Sequence, residues 1–278
     1  MRPQARQPIS TRHAFALAFD LAVRRDPVQS LWVPLLLHTP WLAMQAMLPA
    51  PDEPEGMTAR NLLLNSVVLV GDALVTLLIA GMLRFRAQSV FNTPAGAAPA
   101  DVLTCYARSI RRLPWLFATE LLRNAAMFGA GLFLVLPGVW VGFRLSLATE
   151  AVVLREHTSF AAFGRSFELT EGRLERWLEM IAMSVVLALS VLFALAALFF
   201  AFPQTSWSTW VTVGLFLLPL VMTVIQYAWT FFFLRLDELD VEAADEPEDE
   251  AMGGGGGGGG LPRLKIVHGG RQEQTNRH

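Results

Sequence analysis

The sequence predicts an all-α fold: a polytopic membrane protein with six transmembrane helices and three interfacial amphipathic helices. Three observations carry that expectation. Apolar residues make up 53% of the chain, charged residues only 17%, and mean hydropathy is +0.42, whereas soluble domains carry about a quarter charged residues. Long apolar runs recur in pairs along the chain. Ahead of each pair lies a stretch in which apolar residues repeat at helical spacing with arginines between them.

Residues 1–11 are polar, lack the apolar core of a signal peptide, and read as a disordered start. Ser10 or Thr11 caps a first amphipathic helix with Phe15, Phe19 and Ala22 on one face, ended by Asp26-Pro27. Span one is residues 31–48, about 27 Å at roughly 1.5 Å per residue, just enough for a hydrocarbon core. Pro34 and Pro40 kink it. Span two, residues 62–83, has Asp72 near its middle and is closed by Arg84 and Arg86. Asp101 then caps a second amphipathic stretch, with Val102, Tyr106 and Ile110 opposite Arg108, Arg111 and Arg112. Span three, residues 113–136, is interrupted by Glu120, Arg123 and Asn124.

Pro137-Gly138 stands between two apolar runs with no room for a loop, and so reads as a helix-to-helix hairpin turn. Span four, residues 139–154, carries Arg144 and Glu150. In the third amphipathic helix, Phe160, Phe163, Phe167 and Leu174 recur at helical spacing while Arg165, Glu168 and Glu171 lie between them. Residues 178–201 and 211–234 are spans five and six. Residues 12–236 thus form one six-helix membrane domain. Residues 237–278 combine an acidic run with eight consecutive glycines and read as a disordered cytoplasmic tail.

Residues 136–177 hold a Pro-Gly turn, the run Arg-Leu-Ser-Leu-Ala from Arg144, and a Val-Val-Leu stretch. Arg-Ser-Phe-Glu-Leu-Thr-Glu-Gly-Arg follows from Arg165, with Trp177 close behind. This combination resembles the glycerophosphoryl diester phosphodiesterase membrane-domain family, a group of bacterial polytopic membrane proteins. The resemblance implies a bacterial membrane protein. Some relatives carry a fused soluble phosphodiesterase domain, for which no stretch here is long enough, so the family name implies no activity.

A loose repeat runs through the chain, in which an amphipathic helix ends in arginines, a Trp follows, and two spans come next. Its landmarks are Arg24, Arg25 and Trp32; Arg111, Arg112 and Trp115; Arg173, Arg176 and Trp177. The segments before span one, between spans two and three, and between spans four and five hold 5, 5 and 4 arginines, against Arg60 alone on the other side. The positive-inside rule then places both termini and the three amphipathic helices in the cytoplasm.

Candidate sites follow from charge placement. A charge at the bilayer centre costs at least about 2.5–3.5 kcal/mol, so Asp72, Arg123, Arg144 and Glu150 should face the bundle interior and pair. Counted from the Pro-Gly turn, Arg123 and Glu150 lie at similar depth, and Asp72 is the acidic partner nearest Arg144. Phe160, Phe163, Arg165, Phe167 and Arg173 are candidates for lipid contact at the interface. No two of the five histidines have metal-ligand spacing, the single Cys105 excludes an internal disulfide, and there is no nucleophile elbow, His-Glu-x-x-His or phosphate-binding glycine loop.

The expectation is therefore a non-enzymatic integral protein of the bacterial inner membrane, a scaffold or lipid-associated partner acting at the cytoplasmic membrane surface. It has no catalytic residues, metal or cofactor; its partners are membrane lipids, a protein partner in the membrane is an open alternative, and nucleic acid is not expected. The alternative readings are a small transporter or channel using Asp72 and Arg144, and a membrane-embedded lipid enzyme.

Overall fold

The computed structural model describes residues 10–48, 58–93, 98–155, 158–202, 204 and 207–245; these are helical almost throughout and include no strand. Helix α1 (Thr11–Phe19) widens into a π-type turn at Asp20–Arg25, and a second wide turn, Val28–Trp32, leads into α2 (Val33–Met47). Then come α3 (Ala59–Asn92), α4 (Val102–Phe133), α5 (Val135–Arg144), α6 (Ala148–Leu154), α7 (Ser159–Thr170), α8 (Leu174–Ala201) and α9 (Trp207–Asp245). Ser10 caps α1, its hydroxyl accepting from the His13 amide, and Asp26 leaves helical geometry where the sequence marks the break.

Four stretches among the described residues are long and apolar enough to cross a membrane: Ala59–Asn92, Val135–Leu154, Leu174–Ala201 and Leu217–Asp240. They support a membrane protein with transmembrane helices. The first expected span falls on α2, whose 15 residues reach only about 22 Å. The third falls on the second half of α4, whose apolar run is broken by Glu120 and Arg123.

Burial is inverted relative to a soluble domain. Phe133, Leu136, Phe193 and Phe200 are exposed, as are Leu178, Val185 and Leu189 along α8. The buried set instead gathers at one end of the bundle. There α6 is buried along its whole length, and α9 contributes Tyr227, Phe231, Phe232 and Phe233 to one cluster with Phe15 and Ala18 of α1 and Met82 and Leu83 of α3. Such a distribution fits an apolar solvent around the spans, where packing and polar contacts hold helices together because lipid tails are as apolar as leucine.

Several sequence expectations are corrected. The break between spans three and four lies at Leu134 (φ −164°, ψ 148°), not at Pro137-Gly138. Pro137 sits in the first turn of α5, where its missing amide hydrogen is no loss; further along an uninterrupted α4 its ring would strike the preceding turn. The hairpin closes tightly nonetheless. A Cβ on Gly138 would lie 2.9 Å from the Gly131 Cα, so only glycine lets the α4 and α5 backbones approach this closely. The second amphipathic stretch and span three are one helix, α4, which runs through Pro114. The boundary drawn at residue 236 falls inside α9, which continues to Asp245. Residues 246–278 and the loop around Glu55 lie outside the described residues.

Helix α7 turns Ser159, Ala162, Ser166 and Leu169 inward and leaves Phe160 and Phe167 exposed, with Phe163 between the two extremes. Its small, hydroxyl-bearing face is the packing face: the Ser166 hydroxyl donates to the Arg144 carbonyl at 2.7 Å and accepts from the Leu147 amide at 3.2 Å. Gly172, with φ +67°, makes the left-handed step from α7 to α8.

Candidate functional site

The charges within the spans find partners, but not the expected ones. Arg84, two turns before the end of α3, reaches Glu150 of α6: its Nε donates to Oε1 at 3.1 Å and its Nη2 donates to the Thr149 hydroxyl at 3.0 Å. Both side chains are at least 95% buried. Glu150 also accepts from Gln226 of α9 at 3.2 Å and from Thr149 at 2.9 Å, so three helices converge on one carboxylate.

The expected Arg123–Glu150 pair does not form. Arg123 instead reaches Glu120, one turn back on α4, at 2.6 Å. A partner within the same helix needs no chain to be brought to it. Nor do Asp72 and Arg144 pair. Asp72 is 2.9 Å from Nδ1 of His38 on α2. Arg144 stacks instead over the rings of Phe167, at 4.8 Å, and Trp140, at 5.9 Å, a cation–π arrangement at the α5–α7 junction.

Arg84, Glu150, Glu120, Arg123 and His38 of these groups line a cavity of about 640 Å³, within the size range of small-molecule sites. Arg84, Glu150, Thr149, Glu120, Arg123, Gln226 and His38 supply its polar wall, and Trp177, Trp229, Ile79, Met127 and Pro219 part of its apolar wall. It opens where lining residues of α5, α8 and α9 stay exposed: Val139, Ile181 and Met222. The lining Trp177 packs against Phe143 of α5, ring centroids 5.1 Å apart.

Of the four charges singled out in the sequence, Arg123 and Glu150 line the cavity, and Asp72 lies one hydrogen bond behind its wall, on His38. Arg144 belongs elsewhere. Sequence reasoning missed Arg84, read only as the end of a span; His38, read as scattered; and Gln226 and Trp177. The available signal was Gln226, an amide in an otherwise apolar span that needs a buried partner.

A second charged assembly joins α6, α7 and the far end of α9. Asp237 is buried and pairs with Arg155 and, at 2.9 Å, with Arg165, which also reaches Asp240 at 2.6 Å and Glu168 at 3.1 Å. Burial works against charge on Arg165, but these hydrogen bonds outweigh it and push its pKa up. The arginine expected to face lipid headgroups is thus committed to the acidic end of α9. Arg173 donates to the Leu169 carbonyl at 2.9 Å. Arg86 ties Asp26 and the Ala100 carbonyl together on the same side of the bundle.

Among the described residues, no three His, Cys, Asp or Glu side chains gather in a metal-holding group. Cys105 is buried, and burial pushes its thiol pKa up, a setting that disfavours the thiolate. Compared with known proteins, the chain matches no family model, no curated protein and no solved structure.

Proposed function

We propose that this chain is a six-span integral protein of the bacterial inner membrane that associates with lipid and acts as a non-enzymatic scaffold or lipid-binding partner. The observation that carries the reading is the cavity between α3, α4, α6 and α9, which sets a charged wall against an apolar one and has exposed apolar side chains in its lining. That is the form of a site entered from the bilayer by an amphiphile. The exposed phenylalanines of α7 and the arginine-rich segments add a surface suited to the cytoplasmic interface. The resemblance of residues 136–177 to the phosphodiesterase membrane-domain family supports the same cellular setting.

Extraction of the full chain from native membranes into polymer nanodiscs, followed by delipidation in mild detergent and lipid analysis, tests the reading. A phospholipid should remain at about one per chain after the bulk lipid is gone. Complete loss of lipid together with retained folding would overturn it. Topology is tested separately: a reporter after Glu250 should behave as cytoplasmic and one inserted near Glu55 as periplasmic, as the arginine asymmetry requires. Both reporters on one side would remove the six-span arrangement. Transport is the second reading, favoured by the hydrogen bond of the cavity-lining His38 to Asp72.

A further inference from the structure

Five side-chain polar atoms among the described residues are buried without a hydrogen-bond partner: Asn65 Nδ2, Arg84 Nη1, Tyr106 Oη, Arg123 Nε and Trp177 Nε1. Three of them, Arg84 Nη1, Arg123 Nε and Trp177 Nε1, belong to residues that line the one cavity described above. All three are N–H donors. Leaving a buried donor unpaired costs free energy comparable to a lost hydrogen bond, so buried polar groups are rarely left that way. Arg84 is the sharpest case: the residue is 4% exposed and its other two nitrogens are already used by Glu150 and Thr149.

The carboxylates in the same wall are differently placed. Both oxygens of Glu150 accept hydrogen bonds, one from Arg84 and Gln226 and the other from Thr149, and Glu120 is paired with Arg123. The wall therefore offers spare donors, while the acidic charge opposite them is already engaged. A ligand that satisfies it presents several acceptor oxygens close together and needs no cationic group. Two guanidinium donors with an indole N–H suit a phosphate-type oxyanion, since charge-assisted hydrogen bonds from arginine to such oxygens are short and strong.

We propose that the cavity is a binding site for a phosphate-type oxyanion, held by Arg84, Arg123 and Trp177, and carried on an acyl-chain amphiphile whose tails leave through the opening at Val139, Ile181 and Met222. This rests on the lipid-association reading and specifies the head chemistry. The same three donors would also hold free inorganic phosphate, so the source of the oxyanion is separated by experiment.

The test uses the full chain in a mild detergent, read by native mass spectrometry. Dioleoyl phosphatidic acid, dioleoyl phosphatidylcholine, dioleoylglycerol and inorganic phosphate are added in turn. Phosphatidic acid should bind at one per chain, at least about tenfold more tightly than dioleoylglycerol. Inorganic phosphate binding as tightly as phosphatidic acid would support the oxyanion site but assign it to a soluble anion, overturning the amphiphile. Trp177→Phe keeps the ring and removes its N–H, and should weaken phosphatidic acid binding about tenfold. Trp115→Phe, an exposed tryptophan outside the cavity, should leave it unchanged. Arg123→Lys, which keeps the charge and loses the Nε donor, should weaken it as well.

Equal binding of dioleoylglycerol and phosphatidic acid would overturn the oxyanion site while leaving lipid association intact. Loss of all lipid binding would remove both. Equal effects of the two tryptophan substitutions would overturn the role of Trp177.

Discussion

Replacing Glu150 with Met should destabilise the protein by about 3–5 kcal/mol, because it strands the Arg84 guanidinium in the bundle without its counter-charge. Arg84→Met should cost a similar amount for the converse reason. The double replacement should cost clearly less than the sum, with a coupling of about 1–3 kcal/mol, since two matched apolar side chains leave no uncompensated charge. Thermal unfolding of the four proteins in one detergent gives the cycle. Strict additivity would show that the 3.1 Å contact contributes no stability. A parallel cycle on Arg123 and Glu150 should give the smaller coupling, because Arg123 is satisfied by Glu120 on its own helix.

Asp237→Ala should be the next most damaging change, at about 2–3 kcal/mol. Its carboxylate is only 3% exposed and bridges Arg155 of the α6 terminus and Arg165 of α7. The effect falls below that of Glu150 because Arg165 keeps Asp240 and Glu168. Asp240→Ala, at a side chain 43% exposed, should cost less than about 1 kcal/mol, as surface ion pairs do. Thermal stability measured on the two variants should therefore rank them steeply. If Asp240 proved the more sensitive, the anchor of α7 on α9 would lie at the surface instead of beneath it.

The helix inventory was largely legible in the sequence, because apolar runs and helical periodicity are local. The break after Arg25 and the cap at Ser10 were readable from Asp26-Pro27 and from hydroxyl chemistry for the same reason. The Leu134 break was displaced by three residues, since a proline restricts the chain on both sides and the sequence does not say which turn yields. Pairing was the illegible part. Depth along a span is countable, but rotation about the helix axis and the choice among neighbours are set by packing, so Arg123 was assigned to Glu150 and Asp72 to Arg144. Arg84 went unnoticed because an arginine at the end of a span reads as an orientation signal. The acidic run was read as solvated, although Asp237 lies one helical continuation beyond a buried stretch of phenylalanines and has two arginines within reach.

The two ion pairs of the cavity wall differ in how far apart their members lie along the chain. Glu120 and Arg123 are neighbours within one helical turn, so they neutralise each other as soon as that turn forms, before any other segment is present. Arg84 and Glu150 are separated by 66 positions. A ribosome feeding this chain into a membrane delivers the arginine first, and its carboxylate follows only after all of α4 and α5 has been made. Until then the guanidinium has no Glu150 to pair with. The Arg84–Glu150 contact of the wall can therefore close only once α6 has been made, whereas the Glu120–Arg123 contact needs α4 alone.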